Sequence, residues 1–445
     1  MDFTLASPSE TYQVISPFAN LRAKIAAMWI KKGLAPLLIT VFFSSNVAAG
    51  SQEPEQDLMG QPLAPWSDGV LDIHHISTGK GNSTFIVFPD STTLLVDAGA
   101  ATLPIPYATA KPNDSRRPGE WIASYIEQFH PRREPVLDYA LLTHFHGDHM
   151  GFVDQDSPLS PSGDYRLSGI TDVGERIPIR KLIDRGSPDY DYPKPISNDN
   201  MDNYRSFLAH HSEHKGMPVE QLVPGRNDQI TLQHNPARYP GFEVRNLAAN
   251  GVVWTGTDMN TRGHIPALDS LVPEDFPNEN MLSAAIRVSY GPFDYYNGGD
   301  LSGIPNVGHP PWQNLETPVA KALGPVEVHV VNHHGSIDPA SPFFLATLRP
   351  RVHIIPAWSP THPAPSVLKR LLSERAYSGP RDVFVLEFRE PTKATIGQRA
   401  ERVQSDGGHV VVRVAPGGAS YRVYVLENSR ETYAVKSAHG PYTSN

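Results

Sequence analysis

Two periods of apolar residues alternate along the chain, one repeating every second position and the other every third or fourth. Residues 70–76 set Val70, Leu71, Ile73 and Ile76 against Asp72, His74 and His75, the alternation of a strand. Residues 83–88 and 93–96 supply two more strands, joined by the turn residues Pro89, Asp90 and Ser91. From 120 to 129 the period lengthens, and Trp121, Tyr125, Ile126 and Phe129 fall on one face of a helix. Pro135 breaks the chain before the apolar run 137–142, which reads as the next strand, with a further helix expected to begin at Met150. Strand, helix and strand in this order make one half of a layered α/β fold.

Between 153 and 241 the pattern breaks into polar, proline-rich sequence, with one helix near 201–211 that aligns Tyr204, Phe207, Leu208 and His211. A connection of this length is expected to be an insertion that overhangs a neighbouring site as a lid. Strands resume at 242–244, 282–290, 326–331 and 352–355, and a helix follows over 366–374. In the tail, 409–415 and 420–426 flank Pro416-Gly417-Gly418-Ala419 as a β-hairpin, expected as an extension over 401–445 of a main domain spanning 69–400.

The chain has 445 residues, 19% of them charged and 39% hydrophobic, enough for a large core. Its 43 prolines favour irregular connections over a helical bundle. The net charge is -9 and no basic tract occurs, so no strong nucleic-acid patch is expected. Absence of cysteine excludes disulfides, thiolate ligands and cysteine nucleophiles. Near the start, Lys31 and Lys32 precede the apolar run 33–43 and then Val47-Ala48-Ala49, the pattern of a signal peptide over 1–49 with cleavage near Gly50. Met28 is an alternative start, and an uncleaved anchor is the alternative reading. The expectation is an exported protein, periplasmic or extracellular, with a linker over 50–68 and no membrane span after cleavage.

Candidate chemistry is concentrated after the strand at 137–142, where Thr143-His144-Phe145-His146-Gly147-Asp148-His149 places three imidazoles and a carboxylate in six positions. Chance enrichment of a surface loop in histidine rarely gives that spacing. Imidazole and carboxylate ligands without thiolate suit zinc, with manganese and iron as alternatives. A second metal needs a shared carboxylate, and Asp300 offers one in the turn Asn297-Gly298-Gly299-Asp300. Farther along, Asn332-His333-His334-Gly335 ends another strand with paired histidines.

His144, His146, Asp148 and His149 resemble the HxHxDH signature of the metallo-β-lactamase superfamily, whose fold is an αββα sandwich. Thr78-Gly79-Lys80-Gly81-Asn82-Ser83, Asp97, Asn280, Ser283, Gly299-Asp300, His333-His334 and Thr361-His362-Pro363 look like its ComEC-type branch. The resemblance implies two divalent metal ions. His144 and His146 would bind the first, Asp148 and His149 the second, and Asp300 would bridge. One of His333 and His334 would complete the second site; the preferred assignment makes His334 the ligand and His333 a proton donor or substrate contact. Asp148, His333 and His362 are the candidate catalytic residues, and Asp97 is expected to hold the metal loop by hydrogen bonds. Two departures stand out. Asn246 lies about where many members carry a third histidine for the first metal, with His210, His211, His214, His234 and His264 as replacements. Asn82 stands where the related pattern often has Asp.

The resemblance implies a hydrolase in which metal-activated hydroxide attacks a phosphodiester, small or polymeric, in a nuclease-like or phosphodiesterase reaction. Hydrolysis of lactones, esters or amides is the alternative, followed by a noncatalytic metal-binding protein. β-Lactam cleavage is disfavoured by the later motifs. Diiron redox chemistry is not expected, because that branch replaces the second motif histidine with a carboxylate.

Overall fold

The computed structural model describes residues 58–101 and 108–445. The signal-peptide expectation over 1–49 and the first residues of the linker lie outside the described residues. No helix among the described residues is long and apolar enough to cross a membrane.

In the first half β1 (Leu71–His75), β2 (Thr84–Val87) and β3 (Thr93–Val96) form an antiparallel meander. Helix α1 (Pro118–Phe129) crosses over to β4 (Tyr139–Leu141), which pairs with β3 in parallel. The short helix α2 (Gly147–Met150) follows the metal loop, then α3 (Ile170–Arg176), β5 (Leu182–Asp184), α4 (Asp199–Lys215) and β6 (Val219–Gln221) continue the parallel series. The second half runs β7 (Phe242–Ala249), β8 (Val252–Trp254), β9 (Thr261–Gly263), β10 (Ala285–Tyr290) and β11 (Phe293–Asn297). Helices α5 (Glu316–Leu323), α6 (Pro342–Leu348), α7 (Pro365–Leu371) and α8 (Glu390–Ile396) alternate with β12 (Val328–Val330), β13 (Val352–Ile355) and β14 (Asp382–Val385). Strands β15 (His409–Val414), β16 (Ser420–Leu426) and β17 (Val435–Thr443) end the chain.

The strands form one sheet ordered β17-β16-β15-β1-β2-β3-β4-β5-β6 and another ordered β14-β13-β12-β11-β10-β7-β8-β9. Their facing sides share one apolar cluster that includes Ile73, Ile86, Val96 and Leu141 from the first sheet and Val244, Val288, Tyr295 and Val328 from the second. Ile122, Ile126, Val173 and Phe207 cover the outer face of the first sheet, and Val319, Phe344, Leu345 and Leu368 cover that of the second. Helix, sheet, sheet, helix is an αββα sandwich. Because both faces of each sheet are covered, β1 is buried along its whole length despite its polar alternation.

Two expectations need correction. The stretch 153–241 is largely part of the sandwich: β5 and β6 extend the first sheet, and α4 buries Met201, Tyr204, Phe207, Leu208 and His211 against it. The helix expected to overhang the site is therefore a load on the sheet's outer face, because its apolar stripe is satisfied there. The hairpin over 409–426 is likewise no appended extension. β15 pairs with β1 from Leu71↔Val414 to His75↔Val410, so the tail is inside the first sheet. The end of the linker is tied to the same edge, with Gly60 N donating to Val435 O and Val435 N to Gln61 O.

Candidate metal centre

The C-terminal ends of β3, β4, β11 and β12 lie in the two facing sheets, and each hands its chain to a turn that carries polar side chains. After β4, the loop is short because Gly147 starts a single helical turn that ends at Gly151, which has φ 107°. Met150 thus closes this helix instead of opening one. The turn puts Asp148 and His149 on the same side as His144. Gly99 permits the packing of the β3 end against this turn, since a Cβ there would sit 2.0 Å from the Asp148 carbonyl.

Asp97, at the end of β3, is the keystone of the loop. Its Oδ1 accepts from Thr143 N at 2.8 Å, and its Oδ2 accepts from Thr143 Oγ1 at 2.9 Å, His149 Nδ1 at 2.7 Å and Asn82 Nδ2 at 3.0 Å. It holds the loop and the His149 ring by these hydrogen bonds and belongs to neither group of side chains that can hold a metal ion. Asn82 is explained by the same contacts, because a carboxylate there would face Asp97 at hydrogen-bond distance with no proton to share. On the other side of the loop, Phe145 N donates to Glu279 Oε1 at 2.9 Å, and buried Arg185 donates to the same carboxylate at 2.7 Å and 2.5 Å.

Two groups of side chains have ligand atoms within 4.8 Å of one another and can hold a metal ion: Asp148, His149, Asp300 and His334, and His144, His146 and Asp300. Asp300 belongs to both. Its Oδ1 is 3.0 Å from His149 Nε2, and its Oδ2 is 3.5 Å from His334 Nε2 and 3.9 Å from His144 Nε2. His334 Nε2 is also 3.1 Å from Asp148 Oδ2. In the first group, His144 Nε2 and His146 Nδ1 are 3.1 Å apart.

The outer hydrogen bonds fix which imidazole nitrogens are free. His334 Nδ1 donates to the Pro356 carbonyl at 3.1 Å and His149 Nδ1 to Asp97, so in neutral rings both Nε2 atoms carry lone pairs. These two Nε2 atoms are 3.1 Å apart. Facing lone pairs at that distance require a cation between or beside them. Either protons or metal ions satisfy this, and the donor set of imidazole nitrogen and carboxylate oxygen fits divalent zinc, manganese or iron. Without metal, protons take the place. Burial opposes it, yet Asp300 and Asp148 push His334 up to about 9, and Asp300 and Asp97 hold His149 well above the usual histidine value. Burial likewise opposes the carboxylates, but the two histidines hold Asp300 and Asp148 below the usual carboxylate range.

The paired histidines separate sharply. Both have left-handed backbone, with φ 48° for His333 and 53° for His334, and Gly335 follows at 75°. Three such residues in succession turn adjacent side chains into the same cleft. His334 is buried within the ligand cluster, whereas His333 stays partly exposed, with Nδ1 2.7 Å from Asp338 Oδ1 and Nε2 3.2 Å from Asn280 Nδ2 and 3.9 Å from Asp300 Oδ2. His362 reaches the site without joining either ligand group. Its ring stacks on His334 at 5.1 Å and 15°, and burial, with His334 and His333, depresses it to about 3. Its Nδ1 has no hydrogen-bond partner among the described residues.

Among the described residues no third histidine accompanies His144 and His146. Asn246 is buried in β7 and donates to Val223 O and Gln229 Oε1. His210 contacts Asp164, His211 contacts Tyr165, and His234 contacts Arg132, so none of these replaces it. Asp338, Trp358, Glu279 and Arg185 are the site neighbours that sequence reasoning missed; Trp358 packs edge-on to His334 at 6.1 Å. Only the short spacing from His333 to Asp338 offered a signal.

No family model matches the chain. No curated protein matches it in sequence. Among solved structures it is similar to CmlA, a diiron beta-hydroxylase from Streptomyces venezuelae, at 13% identity and TM-score 0.37, with 79% of this chain and 55% of that chain covered. A CmlA beta-hydroxylase mutant gives 13% identity and TM-score 0.37 over 73% of this chain and 53% of that chain. Unliganded yeast PDE1 gives 11% identity and TM-score 0.30 over 76% and 96%. The matched part spans about half the length of the CmlA chains.

Proposed function

We propose that the protein is an exported hydrolase of the metallo-β-lactamase superfamily that cleaves phosphodiesters with two divalent metal ions, zinc being the preferred pair. The observation that carries this reading is the sharing of Asp300 between the two ligand groups. In this assignment His144, His146 and Asp300 hold one ion, and Asp148, His149, His334 and Asp300 hold the other. Bound there, a metal pair would acidify a water and neutralise charge on a phosphoryl group.

The chain's own residues divide the remaining work. Asp97 and Pro356 O fix the His149 and His334 rings by holding their Nδ1 protons, which leaves Nε2 free as ligand. His333 faces the open side of the cluster with Nδ1 anchored by Asp338, and its Nε2 is the atom positioned to exchange a proton with a substrate oxygen. His362 lines the second group as a neutral ring stacked on His334. Asp148 Oδ2 converges with His334 Nε2 on the same point, as two ligands of one ion would.

The test loads purified protein with zinc or manganese and assays bis(p-nitrophenyl) phosphate, DNA, lactones and nitrocefin side by side. Turnover of the phosphodiesters, lost on chelation and restored by metal, is expected. Preferential turnover of a lactone would move the assignment to carbonyl hydrolysis, and metal binding without any turnover would reduce it to a metal-binding protein.

A further inference from the structure

A second site with no role in the metal cluster lies where β8 and β9 meet α5. A cavity of about 410 Å³ is walled by Trp254, Trp312, Arg262, His264, Thr317 and Lys321 among others, and none of its lining residues is a carboxylate. It shares no residue with the two metal-ligand groups. In a chain of net charge -9, a pocket that gathers two cations and two indoles without an acidic neighbour in its wall selects for an anionic ligand. Arg262 is exposed on β9, and no ion pair engages it or Lys321 among the described residues. Lys321 Nζ lies over the Phe343 ring at 5.8 Å, a contact that leaves its charge without a carboxylate partner.

Charge alone does not account for the walls. Trp254 is buried, donates Nε1 to Asp258 O, and carries Arg245 and Arg287 against its ring at 5.0 and 5.7 Å. It is a fixed wall. Trp312 is half-buried in the segment between Asp300 and α5, where it packs against the apolar cluster of Leu315 and Val319 and contributes its remaining indole surface to the lining of the same cavity. A bare inorganic anion would leave that indole surface in water, whereas a planar ring carrying a phosphate covers it while meeting Arg262 and Lys321. His264 completes the fit: burial, Arg262 and Lys321 all depress its pKa, so it faces the ligand as a neutral donor and acceptor. The volume lies within the roughly 300–1,000 Å³ typical of small-molecule sites.

We propose that this pocket binds a nucleotide unit, a planar base with its phosphate, at a site separate from the metal centre. The unit is either a free nucleotide or one residue of a single strand, and the chemistry recognised is the same.

Titration of the chelator-treated protein with AMP, followed by tryptophan fluorescence and calorimetry, tests the proposal without any metal-dependent step. Saturable binding is expected, with affinity lowered at least tenfold by Arg262→Glu combined with Lys321→Glu. Trp312→Ala should lower it roughly tenfold, the effect of losing one stacked base. The charge-reversal variant changes only exposed side chains, so it reports on the site even if Trp312→Ala fails to fold. A parallel titration with a short single-stranded oligonucleotide identifies the source: tighter binding than AMP assigns a strand, and equal or weaker binding assigns a free nucleotide. No AMP or oligonucleotide binding, inorganic phosphate binding as tightly as AMP, or affinity unchanged in the charge-reversal variant would each overturn the proposal. Because the metal centre is stripped in every arm, these outcomes are independent of whether the protein hydrolyses phosphodiesters.

Discussion

Two buried clusters of charged and imidazole groups, one within the first sheet and one where the ends of strands from both sheets meet, differ in how their hydrogen bonds close. In the middle of the sheet, Asp72 receives Arg413 through two bonds at 2.8 and 2.6 Å, and His74 Nδ1 meets Tyr125 OH at 3.1 Å. The charges cancel within the network, and aromatic rings close around it. At the strand ends, His149, His334, Asp148 and Asp300 are equally buried or nearly so, but imidazole lone pairs face each other and two carboxylates converge on them. Both clusters are costly to bury. The first is complete with its own residues in their ordinary charge states and the second needs added protons or metal ions, so closure of the hydrogen bonds separates a structural network from a candidate metal centre better than burial or residue type does.

Removing Asp300 should widen that contrast most. Asp300→Ala takes a ligand from both groups, so turnover of a phosphodiester should fall by at least about a thousandfold, and elemental analysis should find both metals depleted. His146→Ala should mainly deplete the first group. Full metal occupancy in both variants would contradict the shared-carboxylate reading. The closed network should respond in stability instead. Arg413→Met strands Asp72 as a buried charge and should cost about 3–5 kcal/mol in urea unfolding, while pairing it with Asp72→Leu recovers most of the loss. Metal content should not change in the double variant, and a change would show that the two clusters are coupled.

Much of the candidate centre was legible because its ligands are consecutive. His144 to His149 and His333-His334 sit in short turns after apolar strands, so the spacing of the first motif proposes metal ligands and the alternating periods a layered α/β fold. The αββα order and the joining of the motifs into one cluster follow from the resemblance to the metallo-β-lactamase superfamily. Other features depend on pairing between distant positions. Asp72 and Arg413 are 341 residues apart, and nothing local indicates that β15 joins β1 at the heart of a sheet. The three-residue strands β5 and β6 are too short to show a period, which is why 153–241 read as a lid. Arg185 and Glu279, 94 residues apart, hold the loop between His144 and His146 by a contact that only the packed sandwich creates. The cationic pocket is assembled from 254, 262, 264, 312 and 321, so a search for a basic tract passes over it.

Within the open cluster, the two adjacent histidines sharpen the comparison on a finer scale. His334→Ala should lose metal from the second group together with activity. His333→Ala should keep metal and lose roughly a hundredfold in turnover, the typical worth of a positioned proton-transfer group. Asp338→Asn should show a smaller loss and a displaced pH profile, since it changes the group that anchors His333 Nδ1. Metal lost from the His333 variant and retained in the His334 variant would exchange their roles.

The smallest expected effect is a loss of stability toward alkaline pH that the closed network lacks, since Asp72 and His74 are both shifted downward. In metal-free protein His334 is raised to about 9 and His149 is raised as well, against the Asp300 and Asp148 carboxylates. A histidine raised above its unfolded value of about 6.5 contributes stability that is fully present below pH 6.5 and is lost as pH rises through the folded value. Metal-free protein should therefore lose stability between about pH 6.5 and 9, on the order of 1–2 kcal/mol because the histidines and carboxylates share the same protons. Metal displaces those protons, so the loaded protein should lack this loss and metal affinity should rise over the same interval. Urea unfolding of chelated and zinc-loaded protein at several pH values reads both. Parallel pH curves for the two forms would mean that the metal does not replace the protons between His149 and His334, and the second ligand group would have to be reassigned.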